Sequence, residues 1–288
     1  MTYHLENQHL KIAIALKGAE LKSLVNKATQ QEIVWQGNPD FWAKSSPVLF
    51  PIVGTLKNGM YGYEAKEYQL PRHGFARDYH FVAEELTDSQ LIFSLEATEE
   101  TLKVYPFLFK LQIIYTLKDH CLEVAYTVKN VSATDLLYFS LGAHPAFKVG
   151  EIAAAFNNYS LHFNKDTELK ANNLKDGLLT TAKQNVVLKD QKLPLDYKLF
   201  ENDALVLLNM KSDKITLLNE DDASVLEFSF ANFPYFGLWT VKDSGFLCLE
   251  PWAGFSDFET HNQQLENKAG INILQPKETW SAWWSVCF

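Results

Sequence analysis

The chain has 288 residues, 47% of them hydrophobic and 21% charged, with 26 Lys and Arg against 35 Asp and Glu. That composition buries a core and excludes a chain that is disordered throughout. The formal charge of -9 comes without a basic block, so the counterion release that drives nucleic-acid binding has no source, and nucleic acid is not an expected partner.

Alternation with a period of two dominates from the start. Leu10, Ile12, Ile14 and Leu16 alternate with Lys11, Ala13, Ala15 and Lys17. Residues 91–95 read as a strand. Thr98, Glu99 and Glu100 then form a helix start signal, and Pro106 closes a short helix over 98–105. Phe109, Leu111, Ile113, Tyr115 and Leu117 form a second alternating run, and Leu122, Val124, Tyr126 and Val128 a third. With Lys118-Asp119-His120 between them, 109–128 is predicted to be an antiparallel hairpin. Residues 136–141 are strand-like, whereas the polar stretch 164–198 reads as an insertion or long loops. Further strands are predicted at 204–209, 214–218, 225–230 and 246–250, the last stopped by Pro251. One or two helical turns are expected within 257–267. Trp280, Ala282, Trp284 and Val286 end the chain on another alternation. Many short strands and few helices predict an all-β antiparallel sandwich or barrel, with 1–288 as one domain.

Cys121, Cys248 and Cys287 are too few and too scattered for a disulfide framework or a zinc site. The first residues lack the basic and apolar regions of a signal peptide, and no apolar run reaches the length of a membrane span. The expected address is the cytoplasm, without membrane partners. Nucleotide-binding glycine motifs, H-E-x-x-H, C-x-x-C and G-x-S-x-G are absent from the sequence. No H-x-H pair offers cupin-type metal ligands, so no cofactor and no metal are expected. What remains is acid–base chemistry by side chains, or binding alone.

Three segments carry such chemistry. Pro71-Arg72-His73-Gly74-Phe75-Ala76-Arg77 puts an imidazole and two guanidinium groups around a glycine. A guanidinium offers paired hydrogen bonds to a carboxylate, a phosphate or vicinal hydroxyls. The bland alternative is a solvated loop, with Arg77 paired to Asp78 or Glu84. Gly142-Ala143-His144-Pro145 sets one imidazole among small apolar residues, where desolvation tunes its pKa. Its alternative is a core histidine held by a carbonyl. Phe246 to Gly254 ends an apolar strand on Glu250, beside Trp252. A carboxylate there is costly unless paired or used, and an indole suits the C–H face of a sugar. The alternative is a strand-end Glu turned to water.

In this order the three segments resemble the aldose 1-epimerase (mutarotase) family, and more closely its LacX-like and hexose-6-phosphate epimerase branches. Gly18-Ala19-Glu20-Leu21, Pro47 to Gly54, His73-Gly74-Phe75-Ala76-Arg77, Gly142 to Phe147 and Glu250-Pro251-Trp252 carry the likeness. It runs from about residue 10 to the C-terminus. The resemblance implies a galactose-mutarotase-like supersandwich. It also implies interconversion of α and β anomers of an aldohexose, or of a hexose 6-phosphate, as an isomerase without cofactor. By the same resemblance Glu250 is the general base and His144 the general acid. His73 and Asp203 contact sugar oxygens, Arg77 serves as the cation, and Trp252 borders the sugar. Thr55 stands where galactose mutarotases carry an arginine, with Lys57 the nearest cation, which leaves the sugar open. The expected partner is a small sugar or sugar phosphate, on a monomer or homodimer. A sugar-binding or sensing module on the same fold is the alternative. A glycosidase needs a second carboxylate across the bond, and no motif supplies one.

Overall fold

The computed structural model describes residues 1–150 and 153–288. Two large antiparallel sheets face each other. In the first, nine described strands run in the order Lys192–Pro194, Ser160–Phe163, Lys214–Leu218, Ser224–Ala231, Thr279–Cys287, Cys121–Asn130, Phe109–Lys118, Gln90–Glu96 and Val82–Leu86. The second runs Leu178–Val187, Glu168–Lys175, Leu205–Leu207, Tyr235–Trp239, Phe246–Ala253, Leu141–Ala143 and Val48–Leu49, with Ala146–Lys148 also paired to Phe246–Ala253. Aromatic rings lock the sheets together. Phe230 meets Phe236 at 4.8 Å, Phe50 meets Phe109 at 4.9 Å and Phe147 meets Phe228 at 5.8 Å, centroid to centroid. A four-stranded sheet over Thr2–Glu6, Leu10–Ala15, Glu20–Asn26 and Gln31–Glu32 packs beside them. The Tyr115 hydroxyl donates to the Ala19 carbonyl at 2.6 Å and ties it to the nine-stranded sheet. The fold is therefore a large antiparallel β-sandwich, one of the two forms the alternation predicts and the one the resemblance implies.

The predicted hairpin is present, from Phe109 to Asn130, turning at Asp119-His120. The short helix spans Glu99–Val104, and Thr98 caps it in a reciprocal box with Thr101. Within 257–267 there is only a 3₁₀ turn, Leu265–Asn267.

Three expectations need correction. The stretch 164–198 is not a set of loops: it contains the long hairpin Glu168–Lys175 to Leu178–Val187. This hairpin forms the edge of its sheet, and the middle of its second strand is exposed, which interrupts the alternation. Its signature was the turn, Asp176-Gly177, where both residues have positive φ. Pro251 does not stop its strand, which continues to Ala253. The neighbouring chain pairs with 246–248 and with 252–253, and parts between them at His144-Pro145. Pro251 sits beside that gap, so its missing N–H costs the ladder little. Lastly, Cys121 and Cys287 stand opposite one another on paired strands and form a disulfide. Their separation of 166 residues concealed the pairing.

Candidate active site

Strand Phe246–Ala253 is buried along its whole length, yet its two faces do different things. Leu247, Leu249 and Ala253 enter the main core between the sheets. Phe246, Cys248, Glu250 and Trp252 point the other way, as a period of two requires. Neighbouring strands repeat the division: Phe236, Leu238, Leu205 and Leu207 go into the core, whereas Trp239 and Val206 go to the outer side. A cavity of about 450 Å³ opens on that outer face. His73, Arg77, His144, Asp203, Glu250 and Trp252 all line it, as do Trp42, Gly54, Arg72, Trp239 and Ser256. Six residues singled out in the sequence thus meet in one place.

The two prolines explain the central pair. Where the strand containing Gly142 leaves the sheet, His144 is set beside Glu250, and its Nε2 lies 3.2 Å from Glu250 Oε2, close but not aligned as a hydrogen bond. Glu250 is 1% exposed and His144 8%. His144 Nδ1 is buried without a hydrogen-bond partner. Burial pushes the Glu250 carboxyl well above the usual carboxylate range, with Arg72 pulling the other way. Burial pushes His144 down to about 3. Burial thus favours the neutral form of each group, carboxylic acid beside free imidazole. One proton moved between them gives carboxylate and imidazolium at the same total charge. The pair owns a single proton and two places to keep it.

Aromatic rings hold His144 in place. Trp42 stacks on it with centroids 4.7 Å apart, and Trp239 meets it edge-on at 5.7 Å. The buried Glu20 carboxylate accepts from the backbone N–H groups of Ser45 and Ser46, at 2.6 and 3.1 Å, and so fixes the turn that follows Trp42. Trp252 needs room instead. A Cβ on Gly237 would lie 2.5 Å from Trp252 Cζ2, and one on Gly142 2.7 Å from its Cδ1. The indole fits because Gly142 and Gly237 present no side chain to it.

His73 has φ of +68°, and Asp203 has φ of +97°. Such backbone in a non-glycine residue is strained and concentrates at functional positions. The His73 N–H donates to the Gly54 carbonyl at 2.8 Å, and the Gly54 N–H donates to His73 Nδ1 at 3.1 Å. Burial and the nearby His144 and cations hold His73 neutral. Arg72 Nε donates to His73 Nε2 at 3.2 Å, so His73 ties the Gly54 loop to the Arg72 guanidinium.

The cations differ from the sequence expectation in their rank. Arg77 donates from Nη2 to the Arg72 carbonyl at 2.7 Å and lies 3.8 Å from Asp78. Glu84, the other suggested partner, pairs with Lys110 instead. Arg72 lines the cavity and is half exposed, with Nη2 3.8 Å from Asp203 Oδ2. Arg72 is thus the freer guanidinium, with Arg77 bracing it. Trp42 and Arg72 are the lining residues that sequence reasoning undervalued; for Trp42 only its proximity to site-like segments was a signal. Asp203 adds a second carboxylate to the cavity, but its Oδ1 accepts from the Ala204 N–H at 2.7 Å. Among the described residues, one group offers metal-ligand atoms in close array: His144, Cys248 and Glu250, within 4.8 Å of one another.

A cavity on a sandwich face, floored by a buried acid–base pair and walled by indoles and guanidinium groups, suits a small ligand with both polar and apolar faces. Residues 1–286 match the family described as Aldose 1-epimerase, and the chain belongs to that family. Protein LacX of Lactococcus lactis subsp. lactis, in its plasmid form, is 32% identical over 289 residues, covering 97% of this chain and 96% of LacX. A galactose mutarotase related enzyme from Lactobacillus acidophilus superposes with a TM-score of 0.93 at 32% identity, covering all of this chain and 97% of that one. A galactose mutarotase-like protein from Lactobacillus casei ATCC 334 gives the same score and identity over all of this chain and 99% of its own. Family and fold support interconversion of sugar anomers by an isomerase. No helix among the described residues is long and apolar enough to cross a membrane.

Proposed function

We propose that the protein interconverts the α and β anomers of an aldohexose by opening and reclosing the hemiacetal ring. The observation that carries this reading is the 3.2 Å contact between Glu250 and His144 at a cavity lined by hydroxyl-binding groups. Opening requires removal of the C1 hydroxyl proton and delivery of a proton to the ring oxygen. With the pair's one proton moved to His144, the Glu250 carboxylate takes the first and His144 gives the second. The ring C–O bond breaks, C1 becomes an aldehyde, and rotation about C1–C2 presents its other face. Reclosure reverses both transfers, so the enzyme ends with the proton inventory it began with.

Holding the open chain is the task of the walls. His73 and Arg72 present one polar wall to the sugar oxygens, Asp203 accepts from a hydroxyl, and Trp252 offers an apolar face. Arg77 steadies Arg72 and adds charge, which supports tolerance of a 6-phosphate. In this reading the protein works in the cytoplasm as a monomer or homodimer.

The test is NMR saturation exchange between anomers of glucose, galactose and their 6-phosphates. Wild type is expected to accelerate exchange of at least one of the four. Arg77→Ala and Arg72→Ala are expected to weaken the phosphorylated sugars more than the plain ones. Binding without acceleration would reduce the site to a sugar-binding module. Equal losses for all four sugars would remove the phosphate from the reading.

A further inference from the structure

Cys248 has no part in the proton transfers, yet it lies on the same strand face as Glu250, two residues away. It is a buried free thiol, and the other two cysteines are joined to each other. One donor atom each from Cys248, His144 and Glu250 lies within 4.8 Å of the other two. Two of the polar atoms there, His144 Nδ1 and Glu250 Oε2, are buried without hydrogen-bond partners.

We propose that His144, Cys248 and Glu250 form a binding site for a thiophilic divalent cation, zinc above all, and that its occupation switches the enzyme off. Three atoms no more than 4.8 Å apart share a point within about 2.8 Å of each, and zinc bonds to N, O and S run about 2.0–2.3 Å. A closure of about half an ångström per ligand completes the set, within the reach of side-chain rotation. The donors are one imidazole, one thiolate and one carboxylate, a mixture that suits Zn²⁺ or Co²⁺ and not Mg²⁺ or Ca²⁺. Two negative ligands match the charge of the ion. His144 and Glu250 line the cavity, which gives the ion its way in and leaves a coordination position facing the cavity. Arg72 and Arg77 line the same cavity and oppose a cation, so the ion competes with substrate as an inhibitor and is not a resident cofactor. When it binds, the thiol and the pair release their protons to solvent, so the proton that Glu250 and His144 pass to and from the sugar is gone and the ligating atoms of both are held by the ion.

The binding is independent of the proposed reaction, whereas the inhibition rests on it, so both are measured. Co²⁺ is added to the full chain and the thiolate-to-cobalt charge-transfer absorption is followed. Zn²⁺ affinity is measured by calorimetry, and anomer exchange is recorded with Zn²⁺ and after EDTA. Wild type is expected to show the band, to lose exchange with Zn²⁺ and to regain it with EDTA. Cys248→Ser and Cys248→Ala are expected to lose the band and bind Zn²⁺ at least about tenfold more weakly, each judged against its own metal-free protein. Glu250→Gln, which keeps the shape, is expected to lose Zn²⁺ affinity as well. No band in wild type, or a band that survives in Cys248→Ser, overturns the site. Zn²⁺ bound with exchange unaffected overturns the inhibition. A band in a wild type that shows no exchange without metal leaves the site standing and removes the proposed reaction.

Discussion

At Glu250 and His144, burial makes ionisation costly in both directions. Substituting Glu250→Gln keeps the shape but removes the proton carrier. Exchange is expected to fall by ~10²–10⁴-fold with sugar affinity largely kept, and a variant retaining more than about a tenth of the rate would overturn the role. His144→Asn is expected to lose turnover in the same assay. The pH profile follows from the shared proton. On the acid side activity is lost when the pair takes a second proton, which goes to His144, pushed down to about 3. On the alkaline side it is lost when the pair gives up its only proton, held on a carboxyl displaced upward. The kcat/KM profile is therefore expected to hold its plateau below the ordinary imidazole value of 6.5; an acid limb at that value would mean a solvated His144. Stability carries the same sign. A carboxyl whose folded pKa is raised contributes stability below the unfolded carboxylate range and loses it as pH rises through the folded value. Melting scans are expected to show wild type falling behind Glu250→Gln as pH increases. These residues were legible because each sat in a short distinctive segment. Trp42 was not, since its stacking partner lies 102 positions away and no local pattern couples them.

Between strands, the site depends on residues that never touch a ligand. Gly237→Ala would drive a methyl group into the Trp252 ring, where the Cβ distance is 2.5 Å. Overpacking of this kind costs about 1–3 kcal/mol, and the displaced indole should also weaken sugar binding; both are read by denaturant titration and by binding. Asp257 performs a comparable task. Its carboxylate accepts from the Lys57 N–H and from Lys268 Nζ, each at 2.8 Å, and its own N–H donates to the Thr55 carbonyl at 2.9 Å. The segment so held contains Gly54, the partner of His73. Both members of the Asp257–Lys268 pair are 1% exposed. Lys268→Met would leave a buried carboxylate with fewer partners, at a cost of about 3–5 kcal/mol, measured by denaturant titration. Elements with one buried face announced themselves by alternation, as at 109–130. The edge hairpin at 168–187 and the strand running through Pro251 did not. In the first case the middle of the outer strand is exposed and breaks the alternation, and in the second the register of a neighbour decides what a proline can do.

Across the molecule, the strand Thr279–Cys287 occupies the fifth of nine positions in its sheet, between Ser224–Ala231 and Cys121–Asn130. It is the most C-terminal strand, and it is also the seam. Until it arrives, the strands before it form two half-sheets, each with an open edge where this strand belongs. Vectorial synthesis therefore cannot complete this sheet progressively: the strands on both sides of the seam must wait for residues translated after all of them. Bare edges of that length are templates for association with other chains. Ending the chain before Thr279 is expected to yield an insoluble or chaperone-retained product, read by the soluble fraction and by protease resistance. A soluble, protease-resistant product would show that the two halves close without the seam.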